Sequence, residues 1–264
     1  MNRGPENLSS EDSAQIELTR EYWNKHPFEY QLSRFPLGTI DYFLDVESYY
    51  YRKYSYLKKY IDYNALRGKK GLDIGCGFGN TSVQLAKEGA LVTGVDISEL
   101  AVEMSKKNLE LRNMSAEVFR GDGENLEFED NSFDYIFAIA TISYTPNPKK
   151  MIQEIHRTLK PGSEAYLTVY NVNSWLNILF KILNRKPPRE DAPSFSQYTV
   201  EEFKQLLELF SKVEISTDRF PSKTQRGTDI QTILFDHLFI PAFGLIPKKL
   251  LKPYGHHIIA KVIK

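Results

Sequence analysis

Between Lys69 and Asn171 the chain repeats one pattern: a short apolar run, a turn, then an amphipathic stretch of several helical turns. "KKGLDI", "ALVTGVDI", "SAEVFRGD", "FDYIFAIA" and "EAYLTVYN" read as strands. "NTSVQLAKEG", ending at Gly89, "SELAVEMSKKNLELRN", with Ser98 as N-cap, and "PKKMIQEIHRTLKPG", closed by Pro161 and Gly162, read as helices. Parallel strands need crossover connections of this length, and the crossovers cover both faces of the sheet. The pattern predicts an α/β fold, a doubly wound sheet with helices on either side.

The flanks depart from that rhythm. Residues 1–13 are polar and predict a frayed end, and a helix runs from Ala14 to Lys25 before Pro27 stops it. Residues 45–63 predict one helix with Val46, Tyr50, Tyr54, Leu57 and Ile61 on a single face. After Asn171, "NSWLNILFKILNRKPP" predicts an apolar helix ended by two prolines. "SQYTVEEFKQLLELF" predicts a helix with Thr199 and Glu202 in capping-box spacing. "SKVEISTDRF" predicts a strand, followed by a long irregular stretch, and "HHIIAKVIK" a final strand. The division expected is a helical cap over 1–66 and a main unit over 67–264, with insertions near 171–197 and 220–255.

Composition narrows the function classes. The 34 basic and 34 acidic residues cancel, whereas binding to nucleic acid usually leaves a basic excess, so no nucleic-acid partner is expected. Cys76 is the single cysteine, which excludes an internal disulfide, and no metal site is expected. The N-terminus lacks the apolar core of a signal peptide, and no run approaches the ~20 apolar residues of a membrane span. The expectation is a cytoplasmic protein.

Three glycines, Gly75, Gly77 and Gly79, lie between the first strand and its helix. Glycine costs about 0.5–1 kcal/mol relative to alanine in regular structure, so the cluster implies a tight turn or a ligand close to the backbone. Ligands of open parallel sheets bind at the carboxyl ends of the strands, and a nucleotide cofactor is the natural occupant. Asp96 ends the second strand, placed for a ribose diol, and Asp122 follows the third, placed for an exocyclic amine. Asp134 is read as a backbone cap. The G-x-G-x-G spacing differs from the G-x-G-x-x-G of dinucleotide-binding dehydrogenases.

Together "LDIGCGFG", "GVDIS", "GDGENLEFEDNSFDYIF" and "EIHRTLKPG" resemble the class I S-adenosylmethionine-dependent methyltransferases, in particular the ubiquinone and menaquinone biosynthesis group, from about Lys70 to Tyr170. The resemblance implies a Rossmann-like seven-stranded sheet with its last strand antiparallel and S-adenosylmethionine across the strand tips. It implies that Gly75, Cys76, Gly77 and Gly79 line the methionine and ribose portions, with Asp73 beneath the loop. Asp96 would hold the ribose and Ile97 the adenine face. Asp122 and Gly123 would flank the adenine edge, and Ala138 to Ala140 would lie near the sulfonium. Arg52 is a candidate partner for the cofactor carboxylate, or a solvated helix-face arginine.

Methyl transfer is an in-line displacement that needs alignment and, for some acceptors, a base. His26 and Tyr144 are the candidate catalytic residues. His156 is expected at the surface, and His256 and His257 are expected to be structural. Tyr22, Trp23, Phe28, Tyr49, Tyr50 and Tyr51, with Tyr144 and Tyr170 at strand ends, point to a small aromatic or lipophilic methyl acceptor, on oxygen or carbon. A protein methyltransferase and a non-catalytic cofactor-binding subunit remain the alternatives. "SWLNILFKILN" and "ILFDHLFIPAFGLIPKKLLKPYG" are apolar nearly all round, which fits a lid, a dimer contact, or a membrane surface met by Lys248, Lys249 and Lys252.

Overall fold

Seven strands form one sheet in the order β3-β2-β1-β4-β5-β7-β6 in a computed structural model that describes residues 10–27, 30, 32–186, 190–223 and 230–264. Helices α1 (Ser10–Lys25) and α2 (Ile40–Lys53) precede the sheet, with short 3-10 turns at Ser55–Lys59 and Tyr63–Leu66. The alternating region comprises β1 (Lys70–Ile74), α3 (Asn80–Lys87), β2 (Leu91–Asp96), α4 (Glu99–Leu111), β3 (Glu117–Arg120), β4 (Phe133–Ile139), α5 (Pro148–Thr158) and β5 (Leu159–Tyr170). Then come α6 (Trp175–Ile182), α7 (Val200–Leu206) and β6 (Lys212–Asp218). A helical run follows: α8 (Ile230–Leu234), a π turn (Phe235–Phe239), α9 (Ile240–Gly244), α10 (Lys248–Leu251) and a 3-10 turn (Lys252–Tyr254), before β7 (His257–Ile263).

Strands β1 to β5 pair in parallel, and β7 runs antiparallel between β5 and β6. Chain order reverses between β1 and β4, the switch point at which strand tips diverge and leave room for a ligand. The core lies on both faces. Ile136 and Ala138 of β4 join Ile258, Ala260 and Val262 of β7 in the cluster that includes α5 and α7, while Tyr135 and Phe137 pack with Ile259, Tyr54 and Tyr56 on the other face. That split follows the period-two geometry of a strand buried on both sides. Gly71 has a packing reason: a Cβ there would lie 1.9 Å from the Tyr135 ring.

Several predicted boundaries move. The helix expected over 45–63 starts earlier, at Ile40, capped by Thr39 Oγ1 accepting from the Tyr42 N–H. It breaks at Tyr54 (φ −109°, ψ 18°), and the following 3-10 turn carries Tyr56 beneath β7. Of the predicted face, Val46, Tyr54, Leu57 and Ile61 are buried and Tyr50 is half-buried. Helix α5 ends at Thr158, since Leu159 already pairs with Phe133, and Pro161 and Gly162 lie within β5. The stretch read as irregular before β7 is largely helical. The Ser98 cap, which accepts from the Ala101 N–H, and the Thr199–Glu202 capping box are both present, each worth about 1 kcal/mol.

Two sets of polar contacts fix the N-terminal helices over the sheet. Arg112 Nη1 lies 2.8 Å from Glu47 Oε2, a buried ion pair that ties α2 to α4. On α1, Asn24 Oδ1 accepts from Ser98 Oγ at 2.7 Å and Arg20 Nη1 meets Glu99 Oε1 at 2.6 Å. Further back on the same helix Gln15 Nε2 donates to the Pro193 carbonyl at 2.9 Å. Helix α1 therefore bridges from the start of α4 to the loop beyond α6, across the strand tips. Residues 1–9, Phe28, and the two prolines at 187 and 188 lie outside the described residues, so the frayed end and the proline stop are not placed. Among the described residues no helix is long and apolar enough to cross a membrane.

Candidate active site

Beneath α1 and above the tips of β1, β2, β4 and β5 lies a cleft with about 1140 Å³ of empty space, its open mouth included. The glycine turn forms its floor. Gly75, Gly77 and Gly79 all take left-handed φ, at 70°, 54° and 80°, which explains glycine at each. At Gly75 a side chain is also excluded by space, because a Cβ would lie 2.2 Å from Thr141 Oγ1, itself held by donation to the Ile74 carbonyl at 2.9 Å. The turn is pinned to β2 by the Gly75 and Cys76 N–H groups, which donate to the Val95 carbonyl at 2.7 and 3.1 Å.

Among the described residues three carboxylates line this cleft. Asp96 Oδ2 accepts from the Gly77 N–H at 2.9 Å and Oδ1 from the Ser98 N–H at 3.0 Å, so one side chain fixes the turn and the start of α4. Asp73 accepts from Ser82 Oγ at 2.7 Å, and burial pushes its pKa up to about 7. Asp122 accepts from the Glu124 N–H at 2.9 Å. Burial also raises Asp96 and Asp122, against the hydrogen bonds that favour their charged forms. Among the described residues no lysine, arginine or histidine lines the cleft. A cleft with acids and no cation suits a ligand that is positively charged and rich in donors.

S-adenosylmethionine has those properties: a sulfonium, an ammonium, two ribose hydroxyls and an adenine amine. Asp73, Gly75, Cys76, Gly77, Asp96, Ile97, Asp122 and Gly123 all line the cleft. Four expected residues stand elsewhere. Gly79 packs toward α4, where a Cβ would lie 2.5 Å from Ser105 Oγ. Ala138 turns into the core, while Ile139 and Ala140 of the same expected stretch line the cleft. Arg52 points away and donates to Ser48 Oγ at 2.6 Å. His26 is exposed, with Nδ1 3.1 Å from the Tyr22 carbonyl and its ring against Tyr22.

The β4 and β5 side of the cleft is aromatic. Tyr144 and Tyr170 line it, with ring centres 5.8 Å apart, and Trp23 of α1 closes over Tyr144 at 4.9 Å. Tyr50 and Tyr54 add two more rings from α2 and its end. Behind Tyr170, His257 is fully buried between Tyr56 Oη, 2.5 Å from Nδ1, and Arg219 Nη1, 2.9 Å from Nε2. A guanidinium only donates, so Nε2 accepts and Nδ1 carries the proton. Burial, then Arg219, holds both His256 and His257 well below the usual histidine range. They support the aromatic wall and do not line the cleft. His156 is half-buried against Phe210, apart from the strand tips. Asp134 caps backbone as expected, accepting from the Lys70 N–H at 2.9 Å.

Other lining residues were missed in the sequence. Thr141 and Thr145 follow the β4 tip and were within reach of the strand-tip rule, whereas Thr19 and Pro27 of the N-terminal segment gave no local signal. Glu124 is hidden beneath the cleft, accepting from Thr145 Oγ1 and the Asn147 N–H at 2.5 Å each, and so holds the loop that leads into α5.

Residues 72–167 match the family described as a methyltransferase domain. A ubiquinone biosynthesis O-methyltransferase of Coxiella burnetii is 36% identical over 116 residues, 44% of this chain and 50% of that protein. The chain thus spans about half the length of the curated relatives it matches. A Thermotoga maritima structure described as an S-adenosylmethionine-dependent methyltransferase, possible histamine N-methyltransferase, superposes with a TM-score of 0.61 at 19% identity, covering 93% of this chain and 99% of that one. Phosphoethanolamine N-methyltransferase 2 of Haemonchus contortus, in complex with S-adenosyl-L-methionine, gives 0.60 at 20% identity, over 93% of this chain and 60% of that one. At such identities the two structures speak for the fold alone. Residues 72–167 thus match a methyltransferase-domain family, within a chain that shares the fold of structures described as S-adenosylmethionine-dependent methyltransferases.

Proposed function

We propose that the chain transfers a methyl group from S-adenosylmethionine to a small aromatic or lipophilic acceptor, on oxygen or carbon. The observation that carries this reading is the division of one cleft into two chemical halves. Acids and the glycine turn sit at the tips of β1, β2 and β3, and rings sit at the tips of β4 and β5. In this reading residues 1–66 serve as a cap over a catalytic unit formed by 67–264.

Bound S-adenosylmethionine supplies an electrophilic methyl on a positively charged sulfur. The chain's own residues bind and align. Asp96 and Asp122 accept from the ribose hydroxyls and the adenine amine, and the open backbone at Gly75 and Gly77 lets the ligand lie close. Trp23, Tyr144 and Tyr170 hold a flat acceptor, while α1 excludes water. Alignment of this kind contributes up to ~7–11 kcal/mol in favourable systems. Of the two candidate catalytic residues, Tyr144 lines the cleft and His26 lies exposed outside it, which supports Tyr144 as the hydrogen-bond partner of an acceptor oxygen.

The test is transfer of labelled methyl from S-adenosylmethionine to a panel of lipophilic phenols and quinols, with Tyr144→Phe beside the wild type. A turnover lower by about 10²-fold in the variant, with unchanged cofactor affinity, supports the assignment. Label appearing only on added protein would instead make the acceptor a polypeptide. Cofactor binding without transfer to anything would favour a non-catalytic subunit.

A further inference from the structure

Helix α6 and the helical run from α8 to the 3-10 turn at Lys252–Tyr254 form one unit, joined by rings. Trp175 lies 6.4, 6.0 and 6.0 Å from Phe235, Phe239 and Phe243, and its Nε1 donates to the Arg219 carbonyl at 2.9 Å. Those aromatics already supply the interior of the unit. Several of its other large apolar side chains face solvent: Leu245 is 85% exposed, Ile182 75%, and Leu238 and Leu250 63% each. Soluble proteins seldom leave contiguous apolar surface of this kind without a partner.

Charge and position specify the partner. Helix α6 and the run from α8 to Tyr254 carry Lys181, Lys248, Lys249 and Lys252 against a single acid, Asp236, which is buried, in a chain whose net charge is zero. Exposed leucine and isoleucine beside lysine in excess over acid is the composition of an interfacial helix that meets anionic lipid. A second copy fits less well, because a two-fold contact would place the same cations face to face. The unit also sits at the end of the sheet where the cleft opens. Helix α6 leaves the tip of β5, whose Tyr170 lines the cleft, and the helical run leaves β6 and re-enters at the start of β7 beside it.

We propose that this unit docks the protein on an anionic phospholipid bilayer, with the apolar side chains at the headgroup boundary and the lysines on the phosphates. A lipophilic acceptor dissolved in the bilayer then reaches the aromatic half of the cleft without crossing water. That last step rests on the acceptor class proposed above; the docking itself does not.

The test is co-sedimentation of the full chain with vesicles of phosphatidylcholine, alone or mixed with phosphatidylglycerol. The expected result is binding to the mixed vesicles, weakened by salt and by the Lys249→Glu, Lys252→Glu double variant. Leu238→Asp and Leu245→Asp should each lower vesicle affinity about tenfold or more while leaving the calorimetric affinity for S-adenosylmethionine unchanged, which also shows that the variants are folded. Failure of the folded protein to bind either vesicle would overturn the proposal. So would equal binding to pure phosphatidylcholine, or a dimer by light scattering that Leu245→Asp dissociates. Loss of cofactor binding in the wild type would strike the methyltransferase reading and leave the vesicle result standing.

Discussion

Replacing Asp73 by asparagine should remove a pH-dependent penalty from the fold. Asp73 is 2% exposed, and burial lifts its pKa from 3.8 to about 7. The native state therefore keeps a proton over a range in which the unfolded chain has lost it. Stability from this group is fully present below pH 3.8, declines as pH rises, and is gone above about pH 7. The full shift corresponds to about 4 kcal/mol, of which about 2.5 kcal/mol falls between roughly pH 5 and pH 8. His256 and His257 act in the opposite sense. Their depressed pKa values weaken the fold as pH falls below the ordinary histidine value of 6.5.

The wild-type profile alone is a sum, so the informative quantity is a difference. Urea denaturation of wild type and Asp73→Asn across that range should show the variant gaining about 2.5 kcal/mol on the wild type as pH rises. The asparagine carbonyl can still accept from Ser82 Oγ, so any loss of packing enters as a constant offset. A difference that stays flat would refute the reasoning, since Asp73 would then already be ionised in the native state at the acid end. A cation bound in the cleft favours the ionised form, so cofactor binding near neutral pH should release a proton. That release appears as a dependence of binding enthalpy on the buffer.

Gly75→Ala places a methyl 2.2 Å from Thr141 Oγ1 at a φ of 70°, a conformation that alone costs about 1–2 kcal/mol. Loss of both cofactor affinity and thermal stability is expected, and Thr141→Ala in the same chain should restore part of the stability. Glu47→Gln leaves the buried Arg112 guanidinium without its charge partner and should cost about 3 kcal/mol in urea denaturation. A cost near zero would mean that the α2–α4 link adds nothing to the fold.

The alternating region was legible because each of its elements is specified locally. Apolar runs buried on both faces, the Ser98 cap and the glycine turn all read directly from neighbours in sequence. The acids at the ends of β2 and β3 were legible by the same logic, since a strand end fixes where its next residue stands. What failed depended on distant partners. The break at Tyr54 arises where Tyr56 reaches His257 on β7, and the early end of α5 arises from pairing of Leu159 with Phe133. Ala138 and Ile139 differ only in strand phase, and a bulge between Phe133 and Tyr135 shifts that phase. His26 follows α1 and stays outside the cleft, where the described side chains of α1 that line it are Thr19 and Trp23.

The most direct test of the account is calorimetric titration of the purified chain with S-adenosylmethionine, wild type beside Asp96→Ala, with circular dichroism to show that both are folded. Asp96 lines the cleft and fixes both the Gly77 turn and the start of α4, so micromolar binding by the wild type and its loss in the variant is the result expected. A folded wild type that takes up no S-adenosylmethionine would contradict the central claim, and the acids and glycines of the cleft would need another ligand.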